Sequence, residues 1–292
     1  MANEIQKTSN ANKMTFSAFM TSDLVKNRVN KIIGSEKGGA KFIANIVSAV
    51  QNNPTLQECS NQSILSCALV ANALDLSLSP QLGLIYMIPF NNKQTGIKEA
   101  QIQLSYKSYI QLAIRSGYYK KINVLPIKKG ELIKYDPLEE EIEVKLIEDE
   151  VERENTETIG IYGMFEYSNG FRKCMYWSIE KILNHADKYS QSFNKKTYED
   201  IKNGKIAQKD MWKYSSPWYS KTDDMASKTV LKQLLSKYGI LSVEMQEAFE
   251  KDQSVIKEDG TPFYVDNNNE DYVIVNEEQE NQKEIKSLDD IE

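Results

Sequence analysis

Leu84-Ile85-Tyr86-Met87-Ile88-Pro89-Phe90, a turn over 91–96, and Ala100-Gln101-Ile102-Gln103-Leu104-Ser105-Tyr106 are the stretch that decides the fold. The first run has the composition of a strand. In the second, Ala100, Ile102, Leu104 and Tyr106 alternate with Gln101, Gln103 and Ser105, which puts the apolar residues on one face of an extended chain. The two runs therefore form a β-hairpin with one buried and one polar face. A helix follows over 107–116, closed by Gly117 where a left-handed residue ends a helix. The same order recurs downstream. Strands over 159–167 and 171–177 are turned by Ser168-Asn169-Gly170, and Ser178 caps a helix with Glu180 in its first turn.

Outward from these ββα units the chain is helical. Residues 21–50 carry Leu24, Val25, Val29, Ile32 and Ile33, then a break at Gly38-Gly39, then Phe42, Ile43, Ile46, Val47 and Val50. Asn52-Asn53-Pro54 ends this unit. A helix opened by Ser60 is apolar nearly all round (Ile64, Leu65, Ala68, Leu69, Ala71, Leu74), as a core helix is. A lysine-rich polar loop spans 190–219. The last strong helix starts near Thr222, with a capping box of Ser220 and Asp223, and ends at Gly239. Residues 1–14 read as a lead-in, and from about Lys251 a linker and tail are expected, with Tyr272-Val273-Ile274-Val275 as one apolar segment. The expected fold is α+β, with β-hairpins packed with helices in a single core domain of ββα-type units, a helical N-terminal region and an acidic, disordered C-terminal tail. The boundaries are 1–54, 55–243 and 244–292. The N-terminal helices are assigned to subunit contacts, because their apolar pattern has no evident partner in the chain.

The 292 residues carry 36 Lys+Arg against 42 Asp+Glu, a net charge of −6 that by itself argues against nucleic acid. The average conceals a division. Residues 244–292 hold 16 acids and 4 bases, and residues 136–157 hold 11 acids and 2 bases. What remains is a body with 30 bases and 15 acids, a net of +15. No run approaches the roughly 18 to 20 apolar residues of a membrane helix, and the polar start lacks a signal-peptide core. Cys59, Cys67 and Cys174 are scattered and odd in number, which fits reduced thiols in a cytoplasmic protein better than a zinc site.

Catalytic readings are weak. Gly34-Ser35-Glu36-Lys37-Gly38-Gly39-Ala40-Lys41 has the glycines of a phosphate loop, but Ala40 stands where lysine is required, and the run follows a helical pattern. His185 is the only histidine, so metal clusters and His-dependent nucleophiles have little to work with. Asp223 and Asp224 are paired carboxylates, yet at a helix start two acids are already favoured by exposed amides and the dipole. No catalytic residue, metal ligand or cofactor site is therefore assigned.

The informative features are basic stripes at helical spacing. Lys107, Gln111 and Arg115 fall at i, i+4 and i+8 on one face, followed by Tyr118-Tyr119-Lys120-Lys121. On the last helix Lys228 and Lys232 share a face, with Lys221 just before it, while Trp212-Lys213-Tyr214 and Trp218-Tyr219 set aromatics among lysines. Cations follow phosphates and flat side chains stack on bases, so this composition suits single-stranded nucleic acid.

These segments together resemble the RecT family of phage and prophage single-strand annealing proteins, related to the Redβ group. The likeness covers about 55–240. It rests on Leu76-Ser77-Leu78-Ser79-Pro80 with Gly83, Tyr86 and Ile88-Pro89-Phe90, and on the block from Gln103 through Tyr106-Lys107-Ser108-Tyr109 to Arg115-Ser116-Gly117. It closes with Pro217-Trp218 and Met225-Ala226-Ser227-Lys228-Thr229-Val230-Leu231-Lys232. Ser105 and Ser108 stand where that family commonly has glycine. The resemblance implies an ATP-independent recombination protein that coats single-stranded DNA and anneals it, through a duplex intermediate, to a complementary strand. It further implies a homo-oligomeric ring or helical filament, a partner 5′→3′ exonuclease and a host single-strand binding protein, with no membrane association and no cofactor. Lys107, Gln111 and Arg115 are assigned to one wall of a DNA groove, and Lys221, Lys228 and Lys232 to another. Lys120, Lys121, Tyr106, Tyr109, Trp212 and Trp218 are further DNA-binding candidates. The rival readings are a metal-dependent nuclease using Asp223, Asp224 and the 139–143 carboxylates, and a passive single-strand binder.

Overall fold

A computed structural model describes residues 14–92, 96–190, 192–214 and 216–264. The expected lead-in, most of the expected tail and the Tyr272–Val275 segment lie outside the described residues. The fold is α+β, as expected. Three N-terminal helices, α1 (Phe16–Thr21), α2 (Asp23–Ile33) and α3 (Glu36–Gln51), precede α4 (Asn61–Ala73). The break in this region falls at Gly34, with φ +81, and not at Gly38-Gly39, which lie inside α3. Gly39 is needed for a different reason: a Cβ there would lie 1.9 Å from Asn30 Oδ1, so its lack of a side chain lets α3 approach α2.

The deciding stretch forms β1 (Ile85–Asn91) and β2 (Lys98–Leu104), antiparallel with Ile85 opposite Leu104, and runs into α5 (Tyr106–Arg115). Between α5 and the second hairpin the chain adds β3 (Tyr119–Lys128), β4 (Leu132–Asp136), β5 (Glu141–Val144) and α6 (Glu150–Asn155). The second hairpin is β6 (Thr158–Tyr167) and β7 (Arg172–Ser178), followed by α7 (Ile179–Tyr189), whose N-terminus is capped by Ser178 Oγ accepting from Lys181 N at 3.3 Å. The presumed loop contains α8 (Lys195–Lys202) and α9 (Pro217–Ser220), and α10 (Thr222–Tyr238) follows. The chain then forms α11 (Val243–Lys251), β8 (Ser254–Ile256) and β9 (Pro262–Tyr264).

Two sheets carry the core. One has the order β1-β2-β8-β9, the other β3-β6-β7, and β4-β5 is a separate hairpin. Residues 244–264, placed by sequence in the acidic tail, thus complete the first sheet: Gln101 pairs Val255 and Ile102 pairs Ser254. Helix α10 joins both halves. Leu231, Leu234 and Leu235 belong to the larger core cluster, whereas Ala226 and Val230 belong to the smaller one under β6 and β7. Gly163 on β6 permits this contact, because a Cβ there would meet Val230 Cγ1 at 3.3 Å.

The N-terminal helices have partners within the chain for part of their apolar surface: Phe16, Met20, Val25, Val29, Ile46 and Val50 are buried in the same large cluster as α4, β1 and β2, whereas Leu24 and Ile32 are exposed. The acidic insertion is likewise built into the fold. Glu131, fully buried, accepts from Lys128 N (2.8 Å), Ile147 N (3.1 Å) and Arg153 Nε (2.6 Å), and Arg153 Nη2 also donates to Pro126 O at 2.7 Å. Burial works to raise the Glu131 pKa, but the Arg153 and backbone hydrogen bonds outweigh it and hold the carboxyl below its ordinary value. No helix among the described residues is long and apolar enough to cross a membrane.

Candidate nucleic-acid interface

Lysines at i and i+4 on α10 face the end of α11, where the chain turns into β8. Lys228 Nζ lies 3.1 Å from Asp252 Oδ1, and Lys232 Nζ lies 3.0 Å from Asp252 Oδ2. The same carboxylate accepts from Leu104 N (2.8 Å) and from the Tyr109 hydroxyl (2.8 Å), so both of its oxygens are fully engaged. All three charged side chains are buried, with Asp252 completely enclosed. Burial works against the Asp252 charge, yet the two ammonium groups, Leu104 N and Tyr109 hold its pKa far below the carboxylate range. Burial pushes Lys228 down to about 8; Asp252 opposes that shift and Lys232 adds to it. A buried charge persists when it is paired and hydrogen-bonded, and two ammonium groups on one carboxylate leave one net positive charge at this point.

That charge forms the floor of a groove of about 640 Å³. One wall is the polar face of the first sheet, with Phe90, Gln101 and Gln103; the other is α7 and the segment before α10, with Tyr189, Lys213, Tyr214, Trp218 and Tyr219. The alternation that buries Ile102 and Leu104 is what turns Gln101 and Gln103 towards the groove.

The expected site residues divide. Lys228 and Lys232 line the groove floor, and are buried where an open wall was expected. Trp218 lines the groove by one edge but is only 5% exposed, packed on Phe193 with ring centroids 5.3 Å apart, so most of the ring is a core plug. Tyr109 has no exposed surface, stacks on Phe249 at 4.9 Å and holds Asp252; it is a supporting residue and not a stacking platform. Trp212 is 75% exposed beside Lys213, outside the groove lining. Lys221 is exposed at the N-cap of α10, where no side-chain cap bond forms: the expected Ser220–Asp223 capping box is replaced by Asp223 accepting from Thr158 Oγ1 at 2.6 Å, with Lys128 3.4 Å away.

Lys107, Gln111 and Arg115 do share a face of α5, but they line a different cleft, between α3 and α5, that has no residue in common with the groove. Arg115 is tied there. Its guanidinium donates to Leu74 O at 2.5 Å and Asp75 O at 3.0 Å, satisfying carbonyls at the end of α4. Tyr106 is half-buried against the large core, Lys120 pairs Glu166 at 2.6 Å, and Lys121 is exposed on β3. His185 lines the groove with its ring between those of Trp177 and Tyr189, at 5.5 and 4.6 Å. Among the described residues no group of three His, Cys, Asp or Glu side chains is placed to hold a metal ion.

Asp252 was missed because it sits in a block of acids. Its signal was present nonetheless: Met245, Ala248 and Phe249 at helical spacing, then the apolar Val255-Ile256, mark a packed helix and strand before the true tail.

The chain is 39% identical over 256 residues to an uncharacterised protein, YqaK, of Bacillus subtilis, covering 88% of this chain and 76% of that one. It is 22% identical over 238 residues to protein RecT of Escherichia coli, covering 81% and 79%. Residues 40–273 match the RecT family as a whole, a span that takes in the groove, the lysine pair of α10 and the Asp252 that joins them. This chain belongs to the RecT family.

Proposed function

We propose that the protein binds single-stranded DNA along the groove beneath β1 and β2 and anneals it to a complementary strand, with no nucleotide hydrolysis. Membership of the RecT family supports a role in single-strand annealing recombination. The observation that carries the site is the paired lysines on one carboxylate at the floor of an aromatic-lined groove. Phosphates approaching this floor meet a net positive charge fixed by burial, and binding releases counterions from the strand. Tyr189, Tyr214 and Tyr219 offer flat surfaces on one side, which accept any base without reading sequence. A strand held by its phosphates keeps its pairing edges free for a second strand. Base pairing and stacking then drive the reaction, and no covalent bond changes.

Complementary labelled oligonucleotides mixed with the protein test this. The expected result is faster duplex formation with strands of unchanged length, with or without EDTA. Shortened strands in magnesium, protected by chelator, establish the nuclease reading; bound strands that never pair establish a passive binder.

A further inference from the structure

The cleft lined by Lys107, Gln111 and Arg115 is the larger of the two, at about 1030 Å³. Its floor is apolar, with Ile33, Phe42, Leu84 and Ile110. Its rim carries Lys41, Lys107 and Arg115, and the one acid there, Asp75, pairs with Arg115 at 3.2 Å, which leaves the border net positive through Lys41 and Lys107. Ile114 and Leu82 on the same rim are 58% and 55% exposed. This is an apolar slot with a cationic border, unlike the polar, aromatic groove under the first sheet.

An apolar tip with an acidic border, of opposite charge to the cleft, lies elsewhere in the same chain. The turn between β4 and β5 carries Leu138, the most exposed large apolar side chain among the described residues, at 90%. Glu139, Glu141 and Glu143 are exposed around it, and residues 132–155 hold ten acids against three bases. The turn is braced: Asp136 Oδ1 accepts from Leu138 N (2.9 Å) and Glu139 N (3.3 Å), Lys173 pairs with Glu140, and Tyr135 meets the ring of Tyr176 edge-on at 5.1 Å. The hairpin is thus fixed beside β7, and none of its residues lines the α3–α5 cleft of its own chain.

We propose that the β4–β5 turn of one subunit docks into the α3–α5 cleft of a second copy, with Leu138 seated on the apolar floor and the glutamates against Lys41 and Lys107. The inference rests on the reading that the protein works as a homo-oligomer. Like-charged surfaces repel, so acidic hairpins do not meet each other and basic clefts do not meet each other; the attractive pairing is hairpin to cleft. Because the two surfaces differ, each added subunit leaves one of each free, and the contact propagates into a ring or a helical array.

Charge reversal in the full-length protein tests the contact. One variant carries Glu139→Lys, Glu141→Lys and Glu143→Lys; the other carries Lys41→Glu and Lys107→Glu. In sedimentation velocity without DNA, the wild type is expected to associate with rising concentration, and each variant alone to stay monomeric. An equimolar mixture is expected to recover association, because each variant's altered surface is matched by the other's. Recovery also shows that neither variant is misfolded. A wild type that stays monomeric, a variant that associates like the wild type, or a mixture that stays monomeric overturns the proposal. Binding of a short single-stranded oligonucleotide to the monomeric variants is measured in parallel. Loss of that binding with recovery intact counts against the assignment of DNA to the groove and leaves the subunit contact standing.

Discussion

Two helices carry cations on one face, at i and i+8 on α5 and at i and i+4 on α10, and their environments are opposite. On α5, Lys107 and Arg115 lie at the surface, and Arg115 bonds the carbonyls that end α4. On α10, Lys228 and Lys232 are enclosed and share the buried Asp252. Helical spacing fixes which residues share a helix face; what that face meets is decided by elements distant in sequence. For α10 that element arrives 20 to 24 residues later, in the turn from α11 into β8.

The largest expected effect separates stability from binding at the α10 stripe. Asp252→Ala leaves two buried ammonium groups and Leu104 N without their acceptor, and about 3–5 kcal/mol of stability is expected to be lost in urea denaturation. Replacing all three charges with apolar residues (Lys228→Met, Lys232→Met, Asp252→Leu) is expected to restore most of that stability while abolishing binding of single-stranded DNA. Full DNA affinity in the triple variant removes the groove floor from the proposed site.

A smaller effect lies in pH. Lys228 sits at about 8 in the folded protein, below the ordinary lysine value of about 10.4 in the unfolded chain. Between those values the unfolded chain binds more protons than the folded one, so this group makes stability rise with pH across that window. Below about pH 8 the charged form is present in both states and its burial cost is felt in full. Urea midpoints measured from pH 7.5 to 10 are expected to show this rise in the wild type and not in Lys228→Met. DNA binding is expected to weaken over the same window as the charge is lost. Asp252 acts at the other end: its lowered pKa contributes stability above the unfolded carboxylate value of about 3.9, and that contribution disappears in strong acid.

The α5 stripe gives the smallest changes. Arg115→Ala is expected to lower stability by about 1 kcal/mol through the exposed carbonyls of α4, with little change in the salt dependence of DNA binding. Lys107→Ala is expected to leave both stability and that salt dependence near wild type. A salt slope flattened by a whole phosphate contact in either variant brings α5 back to the DNA path.

How much was legible in the sequence follows from the same contrast. The hairpins β1–β2 and β6–β7 were readable because alternation and a turn signal are local, and the Ser60 and Ser178 caps were readable for the same reason. Strands β3 to β5 were missed because mixed polar residues such as Lys120, Lys121 and Asn123 interrupt the alternation, and pairing of β3 with β6 supplies what the local pattern lacks. The break in the N-terminal helices was misplaced because Gly34 and the pair Gly38-Gly39 look alike in sequence; only the close approach of Asn30 shows that Gly39 is there for packing. Within the candidate site, Lys228 and Lys232 were legible as a pair. Their burial was not, since it depends on Asp252, which net charge assigns to the tail.

The bond from Leu104 N to Asp252 spans 148 positions, and it ties the middle of the chain to nearly its last described element. A nascent chain lacks this acceptor until most of the protein has been made. Before that point α10 carries two ammonium groups that burial would penalise, so the helix cannot settle against its final neighbours. Contacts between such distant positions also slow folding, because their chain entropy must be lost before they form. Assembly of the groove is therefore expected to be a late event, and a chain cut short of residue 252 is expected to hold its hairpins and helices yet have no settled floor on which to receive a strand.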